Sequence, residues 1–408
     1  MEGVEIPSYF LCPISLQLMK DPVTLWTGIT YDRDSIERWI FAGRQNTCPV
    51  TRQPLLDCEV TPNHTLRRLI QAWCTVNVSN GVERFPTPKA PIERAHIARL
   101  LDEATLPQSQ LSSLCRLREI VCESVRNKHY VEATAGAVDF LASIVANNGR
   151  SGLESTSARA CEEALSILYS LQISEEGLLD LVKRNAGMIE SLTTILRRSS
   201  CQSRAHATLL LKSMLGVLSQ DRLTDLREEL FQEIVNVIRD RLSHQATNAA
   251  LHLLNRACPW GGNRIKSANA GAVHVLIELL LEEPDRRICE VVLVVMEQLC
   301  RCADGRAALV GHAAGIPVVA KKILRVSQVA SERAVRILHS VAKHSATPGL
   351  LQEMLQTGVA CKLCLVLRAE CGVKTTEKAR EILRLHSRVW RSSPCLSPQF
   401  PLSYPTAS

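Results

Sequence analysis

Between Ile92 and Trp390 the apolar residues recur with the 3.6-residue period of amphipathic helices. A short phrase of small residues around a glycine recurs within this stretch and precedes an apolar segment each time. Its glycines are Gly136, Gly187, Gly271, Gly315 and Gly358. They are separated by 51, 84, 44 and 43 residues, and the step of 84 spans two periods of 42 with a glycine-free copy near Phe231–Leu242. A period of this length is typical of stacked helical repeats.

Longer helices rich in alanine and leucine lie between these phrases. We predict that they begin near Ala158, Arg204, Thr247, Arg287, Glu332 and Glu377, after an earlier helix over residues 111–124. One such unit cannot bury its apolar stripe alone, so about six units are expected to stack into one superhelix with a long groove. The longer first step contains a polar stretch at residues 147–152, which we interpret as a surface loop insertion.

Residues 9–73 follow a different pattern. Two β-rich segments at 23–26 and 29–31 are separated by a Thr-Gly pair, which predicts a hairpin. Asp32 or Asp34 then suits the N-cap of a helix over Ser35–Ala42, which Gly43 closes. This part is therefore expected to be a small α+β module.

The helices of this module have recognisable apolar faces. Ile36 and Ile40 are four residues apart and should be buried together, with Trp39 beside them rather than between them. Asn63 is expected to cap a second helix. The apolar residues of that helix are Leu66, Leu69, Ile70 and Trp73.

Two four-residue steps, Cys12 to Ser15 and Cys48 to Thr51, have the spacing of zinc-binding Cys-x-x-Cys pairs with the second cysteine replaced by a hydroxyl. A hydroxyl binds zinc weakly, so we predict no metal and no other cofactor. The two cysteines should then fill small apolar gaps, while buried hydrogen bonds and ion pairs hold the loops. The polar residues available for them are Asp21, Asp32, Arg33, Glu37, Ser15, Thr24 and Thr51.

The module resembles the U-box, the metal-free relative of the RING finger of ubiquitin ligases. The matching motifs are residues 10–15, 19–24, 28–33, 36–39, 48–51 and 62–67. The glycine phrase and its helices resemble armadillo repeats, and the whole chain is similar to plant U-box–armadillo ligases. The expected fold is mainly α, with a U-box at residues 5–79 and an armadillo superhelix at residues 92–390. A proline-rich linker at 80–91, expected to be semi-extended, and a tail at 391–408, expected to be disordered, complete the chain.

The resemblance implies a binding site for a ubiquitin-conjugating enzyme charged with ubiquitin. By position, Ile14, Trp39 and Pro49 form the docking patch, and Arg52 is the cation that bridges the conjugating enzyme and ubiquitin. Such a cation holds the thioester in a geometry ready for attack by a substrate lysine. The alternative interpretation places Ile14 and Trp39 in the core, makes Pro49 a turn residue and leaves Arg52 as a solvated loop arginine.

The resemblance also implies that the armadillo groove holds a protein substrate. The candidate groove residues on the long third helices are Arg204, Asn248, Asn255, Arg286, Arg333 and Arg336. Family membership further implies plant stress or defence signalling and self-modification. Two other interpretations remain: a non-catalytic armadillo adaptor or scaffold, and a basic nucleic-acid or lipid binder.

Composition narrows these interpretations. The net charge is +7, and the first 78 residues contain seven Lys/Arg against eight Asp/Glu, so the positive excess lies in the repeats. That excess forms no basic stripe in the sequence, so no nucleic-acid partner is expected. Sixteen scattered cysteines and no apolar run near 20 residues predict reduced thiols, no transmembrane segment and a cytoplasmic location, with the nucleus as an alternative. Homo- or hetero-oligomerisation is left open.

Overall fold

The computed structural model of this chain describes residues 6–43, 45–55, 59–80, 82–83, 92–147, 155–171, 173–185, 187–369 and 371–391. Most of the predicted linker and tail, and most of the predicted loop insertion, lie outside these ranges. The chain divides into two compact units, Met1–Ser174 and Glu175–Ser408.

The first unit begins with a small module, residues 6–80, built on a three-stranded antiparallel sheet. Its strands are β1 (Pro22–Thr24), β2 (Thr30–Asp32) and β3 (Thr61–Pro62), in the order β2-β1-β3. Val23 lies opposite Tyr31 on one side and Pro62 on the other. The predicted hairpin is confirmed, and Gly28 has a φ of +82° in its turn, a conformation that favours glycine.

Helix α1 (Arg33–Glu37) continues as a π-helix at Arg38–Ala42. Ile36 and Ile40 are buried as predicted. The capping prediction was wrong in its chemistry: Asp32 occupies the N-cap position but caps nothing, and its carboxylate accepts from the backbone N–H groups of Lys20 and Asp21. Its side chain therefore ties the loop that contains Cys12 (loop one) to strand β2 instead of capping the helix.

Helix α2 (His64–Val76) is capped as predicted, because the Asn63 side chain accepts from the backbone N–H of Leu66 at 3.0 Å. Ile70 is buried, and Leu66 and Trp73 pack against the core of the module. Leu69 was predicted wrongly, since it is 53% exposed. By helix phase Leu69 lies at the edge of this apolar face, so the core covers Leu66, Ile70 and Trp73 and leaves Leu69 in solvent.

The first unit then has a helix pair followed by a three-helix repeat. The elements are α3 (Arg94–Ala104), α4 (Gln110–Glu123), α5 (Val125–Ala133), α6 (Ala137–Asn147) and α7 (Ser155–Ser170). The long helices α4 and α7 pack side by side.

The second unit consists of five further three-helix repeats. Their helices are α8 (Glu175–Arg184), α9 (Met188–Arg198), α10 (Cys201–Val217), α11 (Gln220–Thr224), α12 (Glu228–Asp240), α13 (His244–Ala257), α14 (Gly261–Asn269), α15 (Ala272–Leu281), α16 (Arg286–Leu299), α17 (Ala303–Gly311), α18 (Gly315–Lys322), α19 (Gln328–His344), α20 (Pro348–Gln356), α21 (Val359–Arg368), α22 (Val373–Leu385) and the terminal α23 (Ser387–Arg391). The third helices α10, α13, α16, α19 and α22 pack in succession, each on the next.

Each predicted long helix is present, but each begins one to four residues earlier than predicted. The reason is a capping signal that the apolar pattern does not contain. Four of these helices have a side-chain N-cap that accepts from a backbone N–H of the first turn, and the capping residues are Ser200, Ser243, Asp285 and Ser327.

The five repeat glycines serve different purposes. Gly136, Gly271 and Gly358 have positive φ, the left-handed conformation that side chains disfavour. Gly315 instead begins α18, where a Cβ would overlap the carbonyl oxygen of Leu309. Gly187 has neither constraint.

Within the described ranges no single helix qualifies as a membrane span, and only the pair α20 and α21, bent by 64°, qualifies jointly by length and composition.

Candidate docking site and repeat surface

The two cysteine loops of the N-terminal module have the same backbone conformation. In each, the N–H of the residue four positions after the cysteine donates to the cysteine carbonyl: Leu16 to Cys12 at 2.8 Å, and Arg52 to Cys48 at 2.9 Å. Both donors have positive φ, +56° and +62°. Arg52 therefore holds a backbone conformation that costs a non-glycine residue roughly 1–2 kcal/mol. This conformation does not depend on the charge of Arg52, because the uncharged Leu16 adopts it at the equivalent position of loop one.

Both loop cysteines are fully buried. The sequence predicted that they only fill small apolar gaps, but both also accept hydrogen bonds. The Cys12 Sγ accepts from the backbone N–H of Asp32 at 3.3 Å, and the Cys48 Sγ lies 3.0 Å from the Tyr31 phenol oxygen and 3.5 Å from the Thr27 hydroxyl. Sulfur acceptors thus connect both loops to the hairpin. This function was missed because a cysteine in an apolar pattern resembles a small hydrophobic residue.

The hydroxyls that replace the second cysteines also donate to the remaining thiols. Burial acts to raise the pKa of Cys48, but hydrogen bonds from Thr27, Thr51 and Tyr31 outweigh it and lower that pKa to about 6. For Cys12, burial is likewise outweighed by hydrogen bonds from Ser15 and Asp32, so its pKa lies below the ordinary thiol value. Among the described residues there is no group of three or more His, Cys, Asp or Glu that could hold a metal ion.

Ion pairs complete the polar ties of the module. Arg33 Nε lies 2.6 Å from Asp21, and Arg33 also lies 3.4 Å from Glu37. Arg67 of α2, which the sequence did not suggest, lies 3.8 Å from the same Asp21. Asp21 therefore connects two helices to the end of loop one. Charged residues of this kind specify a unique geometry more than they add stability.

Trp39 connects the helix of the module to the loop that contains Cys48 and Pro49 (loop two). Its indole N–H donates to the Thr47 carbonyl at 2.8 Å, while its ring is half-buried against the core. Ile14 of loop one is also half-buried and packs against the same core. Both residues therefore belong partly to the core and partly to the surface, so the core and docking interpretations are not exclusive.

Pro49 and Arg52 lie at the exposed side of loop two. Pro49 is half-buried, the adjacent Val50 is 52% exposed, and Arg52 is exposed. Among the described residues no ion pair involves the Arg52 guanidinium. The hydrogen bond from Trp39 joins the helix to this loop, and Ile14 packs against the same core.

On the repeats, Arg333 and Arg336 are engaged by a neighbouring helix. Arg333 lies 2.6 Å and Arg336 lies 3.6 Å from the buried carboxylate of Glu297 on α16, which Arg301 also approaches at 3.0 Å. Burial acts to raise the pKa of Glu297, but its hydrogen bonds to Arg333 and Arg301 outweigh burial and lower that pKa. These arginines therefore join α16 to α19 as well as lining the third-helix surface.

The other candidate groove residues differ in their surroundings. Asn255 accepts from the Gln298 amide at 2.9 Å, a second tie between neighbouring third helices, and Asn248 is half-buried. Arg204 pairs with Asp240 at the end of α12 at 2.6 Å. Arg286 is exposed and pairs with Glu290 at 3.0 Å on its own helix. The groove role of all six residues stays a prediction.

Comparison with known proteins agrees with this architecture. A U-box domain model matches residues 6–79, and a model of the plant U-box protein ARM repeat region matches residues 94–404. The E3 ubiquitin-protein ligase PUB23 of Arabidopsis thaliana is 52% identical over 99% of this chain and 98% of its own length. The E3 ubiquitin-protein ligase PUB22 of the same plant is 48% identical over 99% of both chains.

A solved structure from work on a phosphorylation switch between cadherin and beta-catenin matches with a TM-score of 0.57 and 15% identity. The match covers 79% of this chain and 58% of that chain, and it shows the fold alone. A small α+β module followed by three-helix repeats defines the class, a U-box protein with armadillo repeats. The chain belongs to the plant U-box family of E3 ubiquitin-protein ligases. A ligase of this kind has a ubiquitin-conjugating enzyme and protein substrates as its partners.

Proposed function

We propose that the U-box docks a ubiquitin-charged conjugating enzyme on Ile14, Trp39 and Pro49, and that Arg52 bridges this enzyme and ubiquitin. The ligase forms no covalent intermediate with ubiquitin during transfer. It accelerates transfer to a substrate lysine by holding the thioester in one orientation. The role of Arg52 is electrostatic, since a guanidinium reaches several carbonyl oxygens at once.

The hydrogen bond from the Trp39 indole to the Thr47 carbonyl carries this proposal. It fixes a large, half-exposed aromatic side chain beside the loop that presents Pro49 and Arg52. A rigid aromatic next to small apolar groups is the usual composition of an interface hot spot. Arg52 is exposed and has no ion pair among the described residues, so its charge is available to a partner.

The decisive experiment measures discharge of ubiquitin from a charged conjugating enzyme onto free lysine, with the full chain as the ligase. Trp39→Ala should abolish the stimulation, because it removes the centre of the patch. Trp26→Ala is the matched control, since Trp26 is 51% exposed at the hairpin turn and should be dispensable. Full activity of Trp39→Ala would rule out this docking site, and an inactive parent protein would favour the adaptor interpretation.

We further propose that the armadillo third helices bind the protein substrate, and that the chain acts in plant stress or defence signalling in the cytoplasm, with the nucleus as an alternative. Family membership is the support for the process, and the scattered cysteines, which predict reduced thiols, are the support for the location. The support for the groove is chemical: Asn255, Arg286 and Arg333 are polar residues on three successive third helices, α13, α16 and α19. Capture of a partner by residues 92–390, lost on combined substitution of these residues by alanine, is the expected result.

A further inference from the structure

The helical segment from Arg33 to Ala42 presents three faces to three different neighbours. Ile36 and Ile40 enter the U-box core. Trp39 donates to loop two. Glu37 and Phe41 lie one turn apart on the remaining face and contact α5 of the first armadillo repeat. The proposed docking residue and the contacts with the repeats therefore occupy opposite sides of the buried stripe.

The polar part of this contact is an ion pair between Glu37 and Arg126. Arg126 Nη1 lies 3.3 Å from the Glu37 carboxylate, and the two side chains are only 13% and 5% exposed. The second terminal nitrogen of Arg126 donates to the Ile92 carbonyl at 3.1 Å, at the start of the repeat region. One guanidinium thus joins the U-box helix, α5 and the chain that precedes α3.

The aromatic part surrounds this ion pair. The ring of Phe41 lies 5.1 Å from that of His129 and 6.4 Å from that of Tyr130. The guanidinium groups of Arg94 and Arg126 lie over the Tyr130 ring, 4.5 Å and 5.1 Å from its centroid. Aromatic and cation–π contacts of this kind add to the attraction between the two segments that the ion pair joins.

The carboxylate of Glu37 depends on this arrangement. Burial raises the pKa of Glu37, while the charges of Arg126 and Arg33 oppose the rise. Arg33 also pairs with Asp21, so its charge is shared between two carboxylates. Without Arg126 a buried carboxylate would keep only that shared partner, and the contact between α1 and α5 would become unfavourable.

We propose that Arg126 is a positioning residue that fixes the U-box on the first armadillo helices and so limits which lysines can reach the thioester. This inference rests on the proposed function. The attachment uses the face opposite Trp39, so it leaves the docking side uncovered while fixing its direction relative to α3–α7. Transfer depends steeply on the position of the attacking amine, so a fixed U-box should favour a small set of lysines.

The test compares the full chain with Arg126→Ala, which removes the ion pair from the repeat side and leaves the U-box sequence unchanged. Hydrogen exchange of residues 33–42 and 125–133 should become about tenfold faster, the effect of losing one charge-assisted hydrogen bond. Discharge onto free lysine should stay within twofold of the parent, because it needs only the docking patch. The distribution of ubiquitin among the chain's own lysines, read by mass spectrometry, should broaden.

Two further variants and one control sharpen the result. Arg126→Lys keeps the charge but loses the fork that spans Glu37 and Ile92, so its exchange rates should be intermediate. His129→Ala removes the stacking on Phe41 and should shift the lysine distribution in the same direction. Arg118→Ala is the control, because Arg118 pairs with Glu163 at 2.8 Å inside the repeats and contacts no U-box residue in the described ion pairs.

Unchanged exchange in Arg126→Ala, or an unchanged lysine distribution, would overturn the positioning role. Loss of free-lysine discharge in Arg126→Ala would also overturn it, because the residue would then act on the docking patch. Failure of the parent protein to discharge ubiquitin would instead refute the proposed function. The two failures are therefore distinguishable.

Discussion

The phenol oxygen of Tyr31 lies 3.0 Å from the Sγ of Cys48, and both residues are completely buried. Burial and the neighbouring sulfur raise the pKa of Tyr31, so the phenol stays a donor, while its hydrogen bond contributes to lowering the pKa of Cys48 to about 6. The phenol oxygen also accepts from the Val50 backbone N–H at 3.3 Å. Strand β2 and loop two are thus joined through one buried phenol.

Tyr31→Phe should destabilise the U-box by about 1–2 kcal/mol, because it leaves the Cys48 sulfur and the Val50 N–H without this partner in a buried site. Tyr9→Phe is the control, since Tyr9 is 65% exposed and should change stability little. Urea unfolding followed by tryptophan fluorescence would measure both. A Tyr31→Phe protein as stable as the parent would show that the buried hydrogen bonds do not hold the loop.

U-box stability should increase between pH 6 and pH 9. The folded pKa of Cys48, about 6, is below its unfolded value, so this thiol stabilises the fold fully above the unfolded pKa and loses its contribution as the pH falls toward 6. The slope for one proton is at most about 1.4 kcal/mol per pH unit. Cys48→Ala should reduce the dependence of unfolding free energy on pH in this range. Cys74→Ala should leave it unchanged, because burial raises the pKa of the Cys74 thiol. The same slope in Cys48→Ala would mean that another group titrates.

Arg52→Gly should separate catalysis from stability. Glycine tolerates the positive φ of this position, so stability should stay within ~1 kcal/mol of the parent. Ubiquitin discharge should nevertheless fall roughly 10- to 100-fold, the effect of losing one or two charge-assisted hydrogen bonds. Leu16→Gly controls for the backbone effect on stability, and Arg68→Ala controls for loss of an exposed arginine. Normal discharge by Arg52→Gly would leave Arg52 as a solvated loop residue.

Glu297→Gln should destabilise the second unit by about 3 kcal/mol, because Arg301 and Arg333 lose the buried carboxylate that pairs with both. Glu282→Gln breaks the ion pair with Arg241, which is much more exposed, and should cost less than about 1 kcal/mol. Thermal unfolding by calorimetry would compare the two. Equal small effects would indicate that water, not the carboxylate, satisfies these arginines.

Gly315→Ala should destabilise the fifth three-helix repeat, α17–α19, by about 2 kcal/mol or more, because the new methyl group would overlap the Leu309 carbonyl. Gly311→Ala, only four residues earlier, meets no atom within 4 Å and should be neutral or stabilising. Hydrogen exchange in α17 and α18 would locate the effect. Equal stability of the two variants would contradict the close approach.

The period of the apolar residues was sufficient to locate the long helices of the repeats, because each of them buries an apolar stripe that its own sequence sets. It placed α10, α13, α16, α19 and α22 within four residues of their observed starts. The helices begin earlier than predicted because N-cap residues such as Ser243 start them, and the hydrogen bond of such a cap depends on the local backbone and not on an apolar pattern. Leu69 was misassigned for a related reason: helix phase shows which residues share a face, but not how wide the opposing core is.

Sequence alone determined three features: the two loops with the spacing of zinc-binding pairs but only one cysteine each, the helical repeats, and the family. It could do so because spacing and residue chemistry are local properties of the chain. Only the tertiary structure decided how the loops are held. It paired Asp21 with both Arg33 and Arg67, placed Tyr31 on Cys48, and brought Arg126 to Glu37 across 89 positions of the chain. Such contacts arise when distant segments close around a shared core, and a buried charge or thiol then takes whichever partner the packing brings within reach.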